Sequence, residues 1–323
     1  MEEKKVSIII PVLNEEKHIE KCIDSLINND YENKEIIVVD GMSEDRTRDI
    51  LRKYENIRII DNPDKTTPIA LNIGLKNATG DYIMIAGAHT TYSKNYISAC
   101  VRRLDEDKCD VAGGKMVTIQ GKDTPVAKAI SIVLSHPFGI GGAKYRLESD
   151  KEEYVDTVAY GVYKREVFEK LGGFVEKLRR NQDIEMNLRI KNAGFRIMLV
   201  PEAEAYYYAR DNFKDLWKNN FNNGLWVILS THYARKAFSL RHLVPLFFVL
   251  FLVLGGVFSI FYPIVRIPYF SILGLYLILS LYFSFDISRK NKDFKLFFPT
   301  LFSFWTLHVS YGLGSLYGLF IIL

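Results

Sequence analysis

Two short stretches of this 323-residue chain concentrate side chains that could hold a ligand. Val6 to Glu16 reads VSIIIPVLNEE, and Ile36 to Thr47 reads IIVVDGMSEDRT. Each is a run of β-branched residues that ends abruptly in polar groups. Pro11, Asn14 and Glu15 follow the first run, and Asp40, Ser43 and Asp45 follow the second. Side chains just past the carboxyl ends of strands in a parallel α/β sheet face the ligand crevice. Carboxylates there accept hydrogen bonds from a base N–H and from ribose hydroxyls, so this ring of oxygens suits a nucleotide. Other readings stay open: Asp40 could cap a turn, and Asp45 could favour the start of a helix.

The elements that must position these groups follow from periodicity. Ile19, Cys22, Ile23, Leu26 and Ile27 recur at helical spacing after the first strand. A second strand covers Glu35 to Val39, a helix Glu44 to Lys53, a strand Ile57 to Ile60, and a helix Pro68 to Asn77. Thr79-Gly80 turns the chain into DYIMIAGAHTTY (Asp81 to Tyr92), another buried strand, and Asp110 to Thr118 extends the set. Strands alternating with helices predict a doubly wound, mixed but mostly parallel sheet. From Thr124 the pattern changes to an amphipathic helix, then to the glycine-rich HPFGIGGAKYR (His136 to Arg146). RNQDIEMNLRIKNAGFRIMLVP (Arg180 to Pro201) reads as a helix, a glycine stop at Gly194 and a strand.

The bulk composition is ordinary, with 48% apolar and 25% charged residues and a net charge of +4. Its distribution is not. Leu243 to Val265, Pro268 to Phe285 and Leu296 to Leu323 carry no Asp, Glu, Lys or Arg. Runs of about 18 or more apolar residues can cross a bilayer, and three of them predict three transmembrane helices. Arg235, Lys236 and Arg241 precede the first run, and Arg289, Lys290, Lys292 and Lys295 separate the second from the third. Basic flanks stay cytoplasmic, so the N-terminal region is expected inside and the C-terminus outside. Between Phe213 and Phe238, aromatic and basic residues mix at near-helical spacing, which suits a helix in the membrane interface; a core-facing amphipathic helix gives the same pattern. MEEKK before a short apolar strand lacks the shape of a signal peptide. Cys22, Cys100 and Cys109 are few, odd in number and without metal-type spacing, which suits a reducing compartment. A small positive balance beside membrane spans suits anionic lipid and gives no reason to expect nucleic acid.

SIIIPVLNEE, VVDGMSEDRT, GAHTTY, HPFGIGGAKYR, VDTVAYGVYKREVF, RNQDIEMNLR and the C-terminal HVSYGLGSLYG occur in that order along the chain. Together they resemble the inverting family-2 glycosyltransferases with a GT-A nucleotide-binding fold, and most of all the membrane-bound, succinoglycan-type exopolysaccharide branch. The resemblance implies a nucleotide-sugar donor, with Pro11, Asn14, Glu15, Asp40 and Asp45 toward the base and ribose. It implies a divalent metal, Mn²⁺ or Mg²⁺, held by Asp-x-Asp or Asp-Ala-His after the fourth strand. Here those positions read Gly87-Ala88-His89, so the first acidic ligand is missing and His89 alone remains. A lone histidine is equally a structural residue.

By the same resemblance, Asp183 is the catalytic base at the head of a helix, with Asn181 as its N-cap. A carboxylate within reach of the acceptor hydroxyl takes the proton as the oxygen attacks the anomeric carbon. Glu185 lies four residues before Arg189, which suits an ion pair as well as a direct role. Departure of the nucleoside diphosphate needs cationic help. Lys144 and Arg146, or Arg179 and Arg180, are candidates for it, and Gln182 is a further candidate contact to diphosphate or acceptor. The segment Asn219 to Trp226 lacks the Gln-x-x-Arg-Trp of processive synthases, which implies single addition.

The expected architecture is a GT-A catalytic domain over 1–205, an interfacial segment over 206–240 and a three-helix anchor over 241–323. The expected activity is transfer of one sugar to a lipid-linked or polysaccharide acceptor at the cytoplasmic membrane face. A membrane-bound nucleotide-binding pseudoenzyme or scaffold is the alternative that Gly87 motivates.

Overall fold

Strand β1 (Val6–Val12) is buried along nearly its whole length on both faces, which is why it reads as an unbroken β-branched run. Ile8, Ile10 and Val12 join one apolar cluster with α1 (Ile19–Ile27), while Ile9 joins another on the opposite face. The sheet is thus sandwiched between two helical layers. The computed structural model describes residues 3–147, 150–233 and 240–322. Arg235 and Lys236, expected to flank the first membrane span, and Phe238 lie outside the described residues.

The chain continues through β2 (Lys34–Asp40), α2 (Thr47–Leu51), β3 (Ile57–Asp61), α3 (Thr67–Asn77), β4 (Tyr82–Ile85), β5 (Thr90–Tyr92), α4 (Tyr96–Asp105) and β6 (Val111–Ile119). After α5 (Pro125–Val133) and α6 (Pro137–Ile140) come β7 (Glu153–Tyr154), β8 (Val162–Lys164), α7 (Arg165–Leu171), α8 (Gln182–Asn192) and β9 (Ile197–Tyr208). The strand order is β3-β2-β1-β4-β8-β6-β9-β5, with β7 on β9. The β1–β2, β1–β4 and β2–β3 pairs are parallel, and β4–β8, β6–β8, β5–β9 and β7–β9 are antiparallel. The expectation of a mostly parallel sheet is corrected to a parallel half joined to an antiparallel half. Crossover helices link β1 to β4, as parallel neighbours require; the later strands enter from the other end.

From β1 the chain steps outward to β2 and β3, then returns to lay β4 on β1's other side. The β1–β4 border is therefore the topological switch point, where a ligand crevice opens beyond the carboxyl ends. The expected Glu44–Lys53 helix shortens at both ends to α2, with Arg46 at its N-cap and Asp45 accepting the Thr47 N–H at 3.0 Å just before it. The expected strand over 81–92 breaks at Gly87 into β4 and β5.

Two compact units result: Met1–Val117 with Lys144–Tyr208, and Thr118–Ala143 with Ala209–Leu323. Residues 118–143, expected within the catalytic domain, group with the C-terminal helices. That second unit contains α5, α6, α9 (Phe213–Tyr233), α10 (Val244–Leu250), α11 (Gly256–Phe261), α12 (Pro263–Lys290) and α13 (Phe297–Ile322). Helices α9 and α13 meet backbone to backbone. A Cβ on Gly224 would lie 2.0 Å from the Tyr311 carbonyl oxygen, and one on Gly314 2.0 Å from that of Phe221. Small residues permit such close approach between helix backbones.

Among the described residues, two helical stretches, Arg241–Phe261 and Pro263–Lys290, are long and apolar enough to cross a membrane, with mean hydropathies of 2.7 and 1.8. The third expected span forms α13 and falls outside that pair. Thr300, Ser303, Ser310, Ser315 and its glycines dilute its apolar character and are buried instead. Along α11 and α12, Phe261, Ile264 and Ile267 remain 70%, 84% and 77% exposed.

Candidate functional site

The loops after β1 and β2 interlock through polar side chains. Asn14, in the left-handed region at φ 55°, donates its N–H to Ser43 Oγ at 2.9 Å and accepts the Glu44 N–H on its side chain at 2.9 Å. Asparagine tolerates that backbone better than most residues. The Glu15 N–H bonds Thr47 Oγ1 at 2.8 Å, and the Glu16 N–H bonds Asp45 at 3.1 Å. Burial opposes ionisation of Asp45, yet hydrogen bonds from Thr47 and Glu16 prevail and hold its carboxyl below the usual carboxylate range.

Asp40 is fully buried at the end of β2. Its carboxylate accepts the Ser43 N–H at 3.1 Å, the Ser43 hydroxyl and Arg48 Nε, both at 2.5 Å. Arg48 also bridges to Asp61. Asp40 therefore organises the β2 loop and offers little to a ligand. Pro11 is half-buried beside it, paired in register with Val39. Glu15 is different: its carboxylate lies 3.4 Å from His89 Nδ1, which connects the β1 and β4 ends of the crevice. His18 stacks on Tyr208, and burial lowers its pKa despite the opposing charge of Glu15.

At the β4 end, Gly87 is built into its surroundings. Its N–H donates to the Tyr92 hydroxyl at 2.8 Å, and its carbonyl accepts from Cys22 Sγ and the Thr90 N–H. A Cβ at this position would lie 2.7 Å from Tyr160 Cε1. Tyr160 thus fills the space that an acidic side chain would need. Its backbone sits at φ 51°, an outlier for a bulky residue, and Thr90 Oγ1 donates to its hydroxyl at 2.8 Å. His89 packs edge-on against Tyr207. Hard divalent cations want several oxygen ligands. The donors here do not fit such an ion, since residue 87 supplies none and Glu15 and His89 face each other. No group of three or more metal-type side chains gathers among the described residues.

Beyond Gly87, the Arg146 guanidinium lies over the rings of Tyr145 and Tyr207, 5.6 and 5.4 Å from their centroids. Its Nη1 is shielded from solvent and has no hydrogen-bond partner among the described residues. Lys144, by contrast, is exposed and pairs with Glu153.

Asp183 lies in the first turn of α8, which packs on the sheet through Met186 and Ile190. The residue is solvent-accessible, yet protein surrounds it closely enough for desolvation to push its carboxyl up from the usual value. Bonds from backbone N–H groups and the charge of Arg146 oppose that shift. Asn181 occupies the expected N-cap position of α8, at φ 60°, but makes no side-chain cap bond. Arg180 and Gln182 flank Asp183 half-buried, and Arg179 is exposed. Glu185 points away from solvent and binds Arg189 through both oxygens, at 3.0 and 2.8 Å. Arg189 in turn donates to the carbonyls of Leu171 and Gly173, so the pair braces α8 against the loop after α7.

Residues 7–172 match the family described as Glycosyl transferase family 2. The chain belongs to that family. It is 30% identical over 231 residues, 68% of this chain and 71% of the other, to the dolichyl N-acetyl-alpha-D-glucosaminyl phosphate 3-beta-D-2,3-diacetamido-2,3-dideoxy-beta-D-glucuronosyltransferase of Methanococcus voltae. It is 29% identical over 248 residues, 74% of each chain, to the succinoglycan biosynthesis protein ExoA of Rhizobium meliloti (strain 1021). Among solved structures, S. aureus TarS 1-349 in complex with UDP-GlcNAc superposes with a TM-score of 0.50 at 19% identity. That match covers 69% of this chain and 66% of TarS 1-349, so the chain spans about two thirds of it, and it shows a common GT-A-like fold. The chain is thus a glycosyltransferase that uses a nucleotide-sugar donor.

Tyr160, Tyr207 and Arg48 are the site residues that the sequence reading missed. Arg48 sits within a helix and Tyr207 within a strand, with no local signal. Tyr160 had one: it precedes Gly161 in the AYGVY stretch already marked as family-like.

Proposed function

We propose that the chain transfers one sugar, with inversion, from a nucleotide sugar to a lipid-linked or polysaccharide acceptor at the cytoplasmic face of the cell membrane. The observation that carries the reading is Asp183, an accessible carboxyl in the first turn of α8 that feels the charge of Arg146. The acceptor oxygen attacks the anomeric carbon and its proton passes to the Asp183 carboxylate. The bond from the anomeric carbon to the β-phosphate oxygen breaks, and its electron pair leaves with the nucleoside diphosphate. A carboxylate whose pKa is raised toward the working pH is a better base for this step. Pro11, Asn14 and Glu15 face the base and ribose, and Asp40 and Asp45 hold their loops in shape. A divalent metal, Mn²⁺ or Mg²⁺, fits poorly beside Gly87 and enters no step.

The names of two relatives support the acceptor class. The name of the Methanococcus voltae enzyme specifies a dolichyl phosphate-linked sugar, and ExoA is named for succinoglycan biosynthesis. Membrane attachment is supported by the band of exposed apolar side chains on α11 and α12, larger than a soluble surface ordinarily leaves open. Arg241 before this band and Arg289, Lys290, Lys292 and Lys295 after it favour cytoplasmic ends. Helix α13 serves as a third crossing, its polar residues turned toward neighbouring helices. The proposed division is catalytic 1–205, junction 206–240 and anchor 241–323, with 118–143 belonging to the anchor unit.

A panel of UDP-, GDP- and dTDP-sugars offered to the detergent-purified full chain tests the reading. Wild type is expected to release nucleoside diphosphate from at least one donor, and Asp183→Asn is expected to bind that donor without turnover. Normal turnover by Asp183→Asn would sink the base assignment.

A further inference from the structure

We propose that Arg146 takes over the work a metal ion performs elsewhere in the family, so that this chain binds and releases the donor diphosphate without a divalent cation. The inference rests on the glycosyltransferase reading and narrows it to how the leaving group is stabilised.

Two independent features meet at one place. The first closes the metal position. Gly87 stands where the first acidic ligand would be, and Tyr160 lies 2.7 Å from any Cβ built there. Tyr160 is fixed in that place by the hydrogen bond from Thr90 Oγ1 at 2.8 Å and by edge-on packing with Tyr92. An acidic side chain at 87 therefore requires Tyr160 to leave.

The second feature supplies a charge. The Arg146 guanidinium is held over Tyr145 and Tyr207, aromatic faces that favour a cation without quenching it. Its Nη1 is shielded and lacks a hydrogen-bond partner among the described residues. Buried polar groups are nearly always satisfied, so one left over marks a place for a ligand. A guanidinium is always charged and presents paired donors that match phosphate oxygens. Arg146 is also close enough in charge to Asp183 to favour its ionised form. One cation thereby faces both the departing diphosphate and the base. As the bond from the anomeric carbon to the β-phosphate oxygen breaks, the negative charge that develops on that oxygen falls to Arg146. The acceptor proton still goes to Asp183.

The test is calorimetry on the detergent-purified full chain with inorganic pyrophosphate as probe, in EDTA and in Mn²⁺, beside turnover of the nucleotide-sugar panel in both conditions. Wild type is expected to bind pyrophosphate within about twofold in the two conditions and to turn over its donor in EDTA. Loss of a charge-assisted donor pair should weaken pyrophosphate binding by about tenfold or more in Arg146→Gln, with Arg146→Lys between the two. In Arg146→Gln the acid limb of the pH–rate profile should move to higher pH, because the charge that favours ionised Asp183 is gone. The Gly87→Asp/Tyr160→Ala double variant, which opens and fills the metal position, should acquire a Mn²⁺ response that wild type lacks. Turnover that EDTA abolishes and Mn²⁺ restores would overturn the inference and leave glycosyl transfer standing. Arg146→Gln binding pyrophosphate as wild type does, while losing turnover of the nucleotide sugar, would assign Arg146 to the sugar and overturn it as well. Absence of turnover with every donor, with and without Mn²⁺, would remove the glycosyltransferase reading and this inference with it.

Discussion

At the β1–β2 end of the crevice, Asn14, Ser43, Asp40 and Asp45 direct their hydrogen-bonding capacity at neighbouring loop groups. At the Gly87–Arg146 end, polar groups lie among tyrosine rings, one guanidinium nitrogen has no partner among the described residues, and Asp183 is pushed away from its ordinary pKa. The difference separates scaffold from chemistry. Satisfied networks keep a loop in one shape before anything binds. A shielded donor left open and a carboxyl made uncomfortable are costs to the fold that a ligand or a reaction must justify. Changes at the first end should therefore register in stability, and changes at the second in turnover.

The largest effect should come from Asp183→Asn. Removing a general base lowers the rate by about 10²–10⁴-fold, read as release of nucleoside diphosphate at saturating donor. Its effect on stability should have the opposite sign. A carboxyl whose folded pKa lies above its unfolded value favours folding below the unfolded value, and that contribution is lost as pH rises through the folded pKa. At neutral pH the ionised group works against the fold, so Asp183→Asn should unfold at the same or a higher temperature than wild type. A clear drop in its melting temperature would break the division between the two ends. Wild-type turnover should likewise fall as pH drops toward the Asp183 pKa, which lies above the ordinary aspartate range.

Asp40→Ala probes the other end and comes next in size. Arg48 would keep Asp61 as a partner and stays part-exposed, which softens the loss, but Ser43 and the loop would lose their anchor. Breaking such a charged hydrogen-bond group costs about 2 kcal/mol, measurable as a lower urea midpoint. Donor KM should rise because the β2 loop loses its shape, while kcat changes little. A large fall in kcat with unchanged stability would mean that Asp40 meets the donor itself.

Much of this division was visible in the residues. β-branched runs ending in Pro-x-x-Asn-Glu and Asp-Gly-x-Ser announce strand ends and a ligand rim, because the pattern is local and periodic. Asp183 was legible through a helix onset, a glycine stop at Gly194 and family likeness. The Tyr160–Gly87 contact was not, since it joins residues 73 positions apart and depends on a left-handed tyrosine that no local pattern announces. The mixed sheet was missed for a related reason: β7 and β8 are two and three residues long, too short to show a period. The three expected spans differ in the same way: two helical stretches stand out as long and apolar, whereas α13 carries polar residues along its length. Thr300, Ser303, Ser310, Ser315 and several of its glycines are buried, a packing role that absence of charge alone does not reveal.

Glu185 supplies the smallest and sharpest test of the comparison, because it sits two residues from Asp183 yet belongs with the scaffold. It is 6% exposed, and both its oxygens are taken by Arg189, which also ties down the Leu171 and Gly173 carbonyls. Glu185→Gln keeps the shape and removes the charge, so Arg189 retains its carbonyl contacts and loses part of one pairing. A loss of about 1 kcal/mol follows for one charge-assisted bond weakened beside a part-exposed arginine. Turnover should stay within about threefold of wild type, since Asp183 keeps its helix and no reacting atom is touched. Chemistry at Glu185 itself would give the reverse, a collapse of kcat with an unchanged urea midpoint. Adjacency to the base along one helix would then count for more than which groups a side chain has already satisfied.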